Sequence, residues 1–339
     1  MLARRFSKLI ANQVASADLL VGERMIATSL HYLGDQTNAR AHIEGALRGY
    51  MTGAPRPQIG RYQFDQAVLV RGLLARILWL QGFPNQALHH ALTCVEEAKA
   101  IGHVLSLCNA LIRAACPVAL WMGGLPTAAR CIAMLLDYTG RHGLESWRLR
   151  ARGYQAILTS KTGGPATGLP FLRTTLEGLR RSPKRGGPYH AGLLGAYAEA
   201  LSAAGEVGEG LVAIDEALVM AENDDIRISV PELLRIKGDL LRLERGSDAG
   251  AEGLFRQAIE LTRQQGALSF KLRASTSLAR LLAIKAIPPM LMHFSSLSSP
   301  GLPRGSRRLT SKHRRRFWTI FSDSRSRLAF YPTGRQLGA

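Results

Sequence analysis

Acidic residues are scarce in this chain, cysteines number four and aromatics make up 6% of its 339 residues. Each shortage removes a class of protein. The cysteines, Cys94, Cys108, Cys116 and Cys131, include no CxxC pair, which leaves neither a zinc ribbon nor the disulfide framework of a small secreted domain. Buried free thiols in a reducing cytoplasm are the expectation. No uninterrupted apolar run reaches the roughly 18 residues that a bilayer-spanning helix needs. The N-terminal stretch MLARRFSKLIANQ lacks the apolar centre of a secretory leader. Long β-branched or alternating runs are also missing. Ala, Leu and Gly dominate an apolar share of 46%, a composition that fits close-packed helices rather than sheets.

Signatures of catalysis are equally thin. No GxxxxGK[ST] cradle, HExxH pair or GxSxG elbow occurs. KTGGPATG (161–168) is glycine-rich but stands where a helix–helix turn is expected. His89 and His90 are adjacent and point to different faces of a helix, so a zinc site with Cys94 has little support. Glu96 and Glu97 read as a solvated face, and Glu222, Asp224 and Asp225 lack the spacing of a calcium loop. The expectation is a protein that is not an enzyme and holds no cofactor or metal.

What is present is a repeat. The stretch LLGAYAEALSAAGEVGEGLVAIDEALVMA (193–221) reads as two amphipathic helices about a tight turn at Gly205. Corresponding glycines stand at Gly34, Gly82, Gly124, Gly163 and Gly246, at spacings of 48, 42, 39, 42 and 41 through Gly205. A small residue lies five positions after each: Ala39, Ala87, Ala129, Gly168, Gly210 and Ala251. Another lies seven before most of them, at Ala27, Ala75, Ala156 and Ala198, but not before Gly124 or Gly246. Small residues let helices cross closely, and glycine supplies the positive φ of a helix C-cap. A helix pair of this kind cannot bury both faces alone, so it implies stacked neighbours.

The positions Ala198, Leu201, Gly205, Gly210, Ile214, Ala217 and Leu218 resemble the tetratricopeptide repeat, though the period of roughly 42 exceeds that family's 34. The resemblance implies an all-α, right-handed superhelical array of helix hairpins that binds proteins or peptides. RMIATSLHYLGDQ, ELLRIKGDLL and QQGALSFKLRASTSLARLL further resemble the C-terminal helical-repeat region of large bacterial transcriptional regulators and nucleotide cyclases. Those proteins carry an ATPase module, of which this sequence shows no trace. On this reading residues 1–15 are an extension, residues 16–284 form six hairpins plus one unpaired helix, and residues 285–339 are a basic tail. The chain would then be a truncated relative of a cytoplasmic bacterial regulator.

The charge divides the same way. The net +19 splits into +10 from Lys285 onward, where Asp323 is the single acid, and +9 for everything before it. Such a balance favours anionic partners, either nucleic acid or phosphorylated ligands. The helical period also stops after Leu282, and Pro288–Pro289 would end any helix. Three readings of the tail stand: an arm that binds nucleic acid through Arg307, Arg308, Lys312, Arg314, Arg315 and Arg316, with Trp318 to stack; a targeting address; or an out-of-frame translation, which translating the gene in its other two frames past codon 284 would test. The last fits best, because the composition changes halfway through a hairpin.

The first helix of each hairpin in such an array faces the concave side. Projecting the repeat puts Arg24, His31, Arg76, Trp79, Trp121, Arg150, Arg235 and Arg242 there. Guanidinium groups with two tryptophans suit an acidic peptide or one with a terminal carboxylate. The alternative function is nucleic-acid binding through the tail and these arginines. Oligomeric state is not legible.

Overall fold

A computed structural model describes residues 16–53, 59–181, 187–244 and 247–286. The described residues contain helices and no strand. The order is α1 (Ser16–Leu33), α2 (Gln36–Met51), a single-turn α3 (Ile59–Tyr62), α4 (Gln66–Leu80) and α5 (Pro84–Ile101). Then follow α6 (Val104–Trp121), α7 (Leu125–Arg141), α8 (Glu145–Gly163) and α9 (Pro165–Arg181). The last five are α10 (Gly187–Ala204), α11 (Val207–Asn223), α12 (Val230–Leu241), α13 (Asp248–Gln265) and α14 (Leu268–Lys285). Consecutive helices pack as hairpins: α1 on α2, α4 on α5, α6 on α7, α8 on α9, α10 on α11 and α12 on α13. Helix α14 packs on both α12 and α13. The extra length of the first spacing is taken up by the connection that holds α3.

The turn glycines correct the spacing read from sequence. Positive φ falls on Gly123 and Gly164, whereas Gly124 caps α7 at φ −76° and Gly163 still belongs to α8. The turns at Gly82, Gly123, Gly164 and Gly205 are therefore a constant 41 residues apart. Each of these C-caps needs the left-handed backbone that glycine adopts without a Cβ penalty. In the third hairpin the shift of one residue moves the packing positions as well. Ala128, Ile132 and Leu135 are buried, while Ala129 and Ala133 are exposed. Cys116 then supplies the small residue seven before the turn that the sequence pattern lacked.

Helix α6 departs from regular geometry. Residues Leu111–Ala115 form a π-turn, and the Cys116 amide donates to Leu111 O, five residues back. Pro117 is the cause. In an α-helix its ring would press on the carbonyl of Arg113, and the wider turn relieves that clash. Helix α6 is also long and apolar enough to cross a bilayer by composition, yet 72% of it is buried among its neighbours. It sits in an apolar cluster drawn from α4 to α8, and that cluster holds all four cysteines as free thiols. Burial pushes the Cys94 thiol up to about 12 and Cys108 to about 11. Such thiols are poor nucleophiles and poor metal ligands at neutral pH. Cys94 Sγ donates to the Val68 carbonyl instead.

The array curls back on itself. The α13–α14 turn and the start of α14 reach the turns of the first two hairpins. The Ser269 hydroxyl donates to the Trp79 carbonyl in the last turn of α4. Phe270 meets the Trp79 ring edge-on at 5.4 Å, and Leu268 lies over Gly82. Gln265 lies against Gly34 and donates to Arg227 O at 2.9 Å. A ring of first helices results, closed by α14.

Candidate functional site

The ring encloses a cavity of about 240 Å³, walled by α4, α6, α8, α10, α12 and α14. Its two sides differ in charge. On one side Tyr32, at the end of α1, gathers two arginines. Its hydroxyl oxygen accepts from Arg76 Nη1 at 3.0 Å and from Arg113 Nη1 at 2.8 Å. Burial alone would raise the Tyr32 phenol, but the two cations outweigh it and hold it below its usual range. Arg150 stands beside them with its guanidinium 5.8 Å from the Tyr189 ring centroid. Burial, and then Arg113, lowers the pKa of Arg150. None of these three arginines has a carboxylate partner among the described residues.

Two tyrosines form the floor. Tyr154 donates to Ile112 O at 2.8 Å, and Tyr189 donates to Arg150 O at 2.6 Å. Their rings meet edge-on at 5.3 Å. Burial drives both phenols well above their ordinary range, so both remain hydrogen-bond donors at neutral pH. Gly153 makes the second contact possible, since a Cβ there would stand 2.0 Å from the Tyr189 hydroxyl.

The other side is neutral by pairing. Arg235 is almost fully buried and donates to Glu199 at 2.8 Å, Glu232 at 2.7 Å and Asp239 at 2.6 Å. Arg273 reaches Glu232 at 3.0 Å and Glu199 at 3.5 Å, and Lys161 lies 4.0 Å from Glu199. Three cations thus answer three carboxylates. Burial alone would raise the Glu199 carboxyl, but Arg235, Arg273 and Lys161 hold it low.

Of the residues projected onto the concave face, the structure brings Arg76, Trp121 and Arg150 to the cavity. Trp79 is buried behind them, its ring tilted 35° against Trp121 at 4.7 Å and covered by Phe270. Arg235 lies beneath the wall with its donors occupied. Arg24 donates to Gln66 at 2.9 Å away from the cavity. His31 is fully buried against Gln36 at 2.8 Å. Arg242 follows the end of α12, its Nε buried. Arg307, Arg308, Lys312, Arg314, Arg315, Arg316 and Trp318 lie outside the described residues, as do the proposed extension (1–15) and nearly all of the tail.

Sequence reasoning missed Arg113, Tyr154 and Glu199. A signal for the first two existed. Stepping the 41-residue period from Arg113 gives Tyr154, Gly195 and Ile236, and all four line the cavity.

No protein-family model matches the sequence, and no curated protein matches it. Solved structures do. The structure of NprR in complex with its cognate peptide NprX is 12% identical at a TM-score of 0.54, with 96% of this chain and 94% of that chain covered. A Rap protein complexed with Competence and Sporulation Factor gives 12% and 0.53, over 84% of this chain and 79% of that one. The Rap conjugation gene regulator of plasmid pLS20, in complex with the Phr* peptide, gives 13% and 0.50, over 79% and 75%. At such identity the likeness is one of architecture, and with the hairpins described above it establishes that this chain has the tetratricopeptide-type helical-repeat fold.

Proposed function

We propose that this chain is a non-enzymatic interaction module, related to the repeat regions of bacterial regulators, and that it binds a short peptide in the cavity of the ring. The carrying observation is the composition of that cavity. Trp121, Tyr154, Tyr189 and Phe270 offer apolar area, while Arg76, Arg113 and Arg150 have no carboxylate partner among the described residues. Sites for small ligands and peptides combine these two features. The solved structures of NprR and of the pLS20 Rap regulator named above contain peptides, which supports the reading by analogy of fold.

The test is a binding screen of a random octapeptide library against the full chain, with Trp121→Ala as the control. Expected is saturable binding of selected sequences that Trp121→Ala weakens at least tenfold. Selection of no peptide, or binding indifferent to Trp121→Ala in a folded variant, overturns the reading.

A further inference from the structure

The cavity's charge is not spread evenly, and this carries an inference about ligand chemistry that rests on the peptide reading. On the α10–α12–α14 side every cation is matched: Arg235 and Arg273, joined by Lys161 from the last turn of α8, stand against Glu199, Glu232 and Asp239. The α4–α6–α8 side holds three guanidinium groups and no acid. Two of them share one acceptor, the Tyr32 oxygen, so their donor nitrogens lie within about 6 Å of each other. Like charges at that separation in a partly dry cavity repel strongly. The protein fixes them there regardless. The π-turn that Pro117 imposes holds Arg113 in this position, and Tyr32 orients both side chains. Arg76 and Arg150 are half-buried, whereas Arg113 is exposed to the cavity.

We infer that Arg76, Arg113 and Arg150 form a binding site for a doubly charged oxyanion of the phosphate class, carried on a side chain of the bound peptide. One carboxylate would leave two of the three cations unanswered. A phosphate monoester brings nearly two charges and three acceptor oxygens, enough for a fork from each guanidinium. The neighbouring phenols of Tyr154 and Tyr189 have already given their hydrogens to backbone carbonyls and do not compete.

The experiment measures thermal stabilisation of the full chain by inorganic phosphate and by acetate at matched ionic strength. It also measures binding of a degenerate phosphoserine octapeptide pool against the same pool unphosphorylated. Arg113→Gln and Arg150→Gln are the test variants, and Arg256→Gln, an exposed position on α13, is the control. Expected is stabilisation by phosphate and not by acetate, with the phosphorylated pool preferred at least tenfold. Each test variant should lose that preference, and the control should keep it. Equal stabilisation by the two anions, or a phosphate response unchanged in both test variants, overturns the inference. Unphosphorylated peptides binding as well as phosphorylated ones, through Trp121 but independently of Arg113, overturns it while leaving the peptide reading standing. Phosphate stabilisation that needs Arg113, with no peptide of either pool bound, supports the oxyanion site and removes the peptide reading instead.

Discussion

Tyr154 donates its phenolic hydrogen to the carbonyl of Ile112, 2.8 Å away and 42 residues back in the chain. The bond repairs a defect of the neighbouring helix. Within the π-turn of α6 the Cys116 amide serves Leu111 O, and the next amide in that pattern would serve Ile112 O. The next residue is Pro117, which has no amide hydrogen. Ile112 O would be a buried acceptor without a donor, and Tyr154 supplies one from α8. One proline thus sets the π-turn, the placement of Arg113 and the reason a tyrosine stands in the cavity floor.

Tyr154→Phe is therefore expected to destabilise the fold by about 1–3 kcal/mol, the cost of a buried unsatisfied carbonyl. Pro117→Ala restores an amide hydrogen to α6 and lets the turn tighten. The loss caused by Tyr154→Phe should then shrink in the Pro117→Ala background. Urea unfolding of the four proteins in a double-mutant cycle measures this, and strict additivity would dissociate the proline from the tyrosine.

Much of the architecture is legible in the sequence because small residues and glycines are read one hairpin at a time. Ala39, Ala87, Gly210 and Ala251 are buried where the pattern puts them. The third hairpin slips because two adjacent glycines, Gly123 and Gly124, offer the same residue type, and only the backbone shows which one takes positive φ. That slip hides the 41-residue series from Arg113 to Ile236. The cavity is less legible than the array because ring closure decides it. Trp79 has the spacing of a groove residue, yet Phe270 from α14 covers it, and no local period reports a contact across 191 positions. Arg235 likewise reads as a free cation until Glu199 from the neighbouring first helix, with Glu232 of its own helix, is seen to hold it.

Histidine protonation should set the acid limit of stability. His31 is fully buried beside Gln36, and burial first, then Arg76 and Arg113, drives its pKa well below 6.5. The native state keeps it neutral while the unfolded chain protonates it at its ordinary value. Between pH 6.5 and the depressed native value the unfolded state binds more protons, so stability falls as pH drops, by up to about 1.4 kcal/mol per unit for this group. Urea unfolding at pH 7.5, 6.5, 5.5 and 5.0 should show that decline. His31→Gln should show a shallower slope below pH 6.5, even if it is less stable throughout. An unchanged slope would assign the acid sensitivity to other groups.

Ring closure hangs on a small contact set, and Phe270 is its largest member. The side chain is 9% exposed and lies between Trp79 and the cavity. Phe270→Ala should cost about 3–5 kcal/mol as a core truncation. Its distinguishing effect should be local. Only the start of α14 touches α4, where the Ser269 hydroxyl also serves the Trp79 carbonyl, while the rest of α14 packs on α12 and α13. Amide exchange at residues 268–275 and in the last turn of α4 should therefore accelerate in Phe270→Ala well beyond that of residues 165–181, whose helix α9 packs on α8 and α10 away from the seam. Phosphate stabilisation should weaken in step, because the opened ring no longer fixes α4 against α6 and α8. Uniform acceleration along the whole chain would instead mean that Phe270 supports global stability, and that the ring closes through its other contacts.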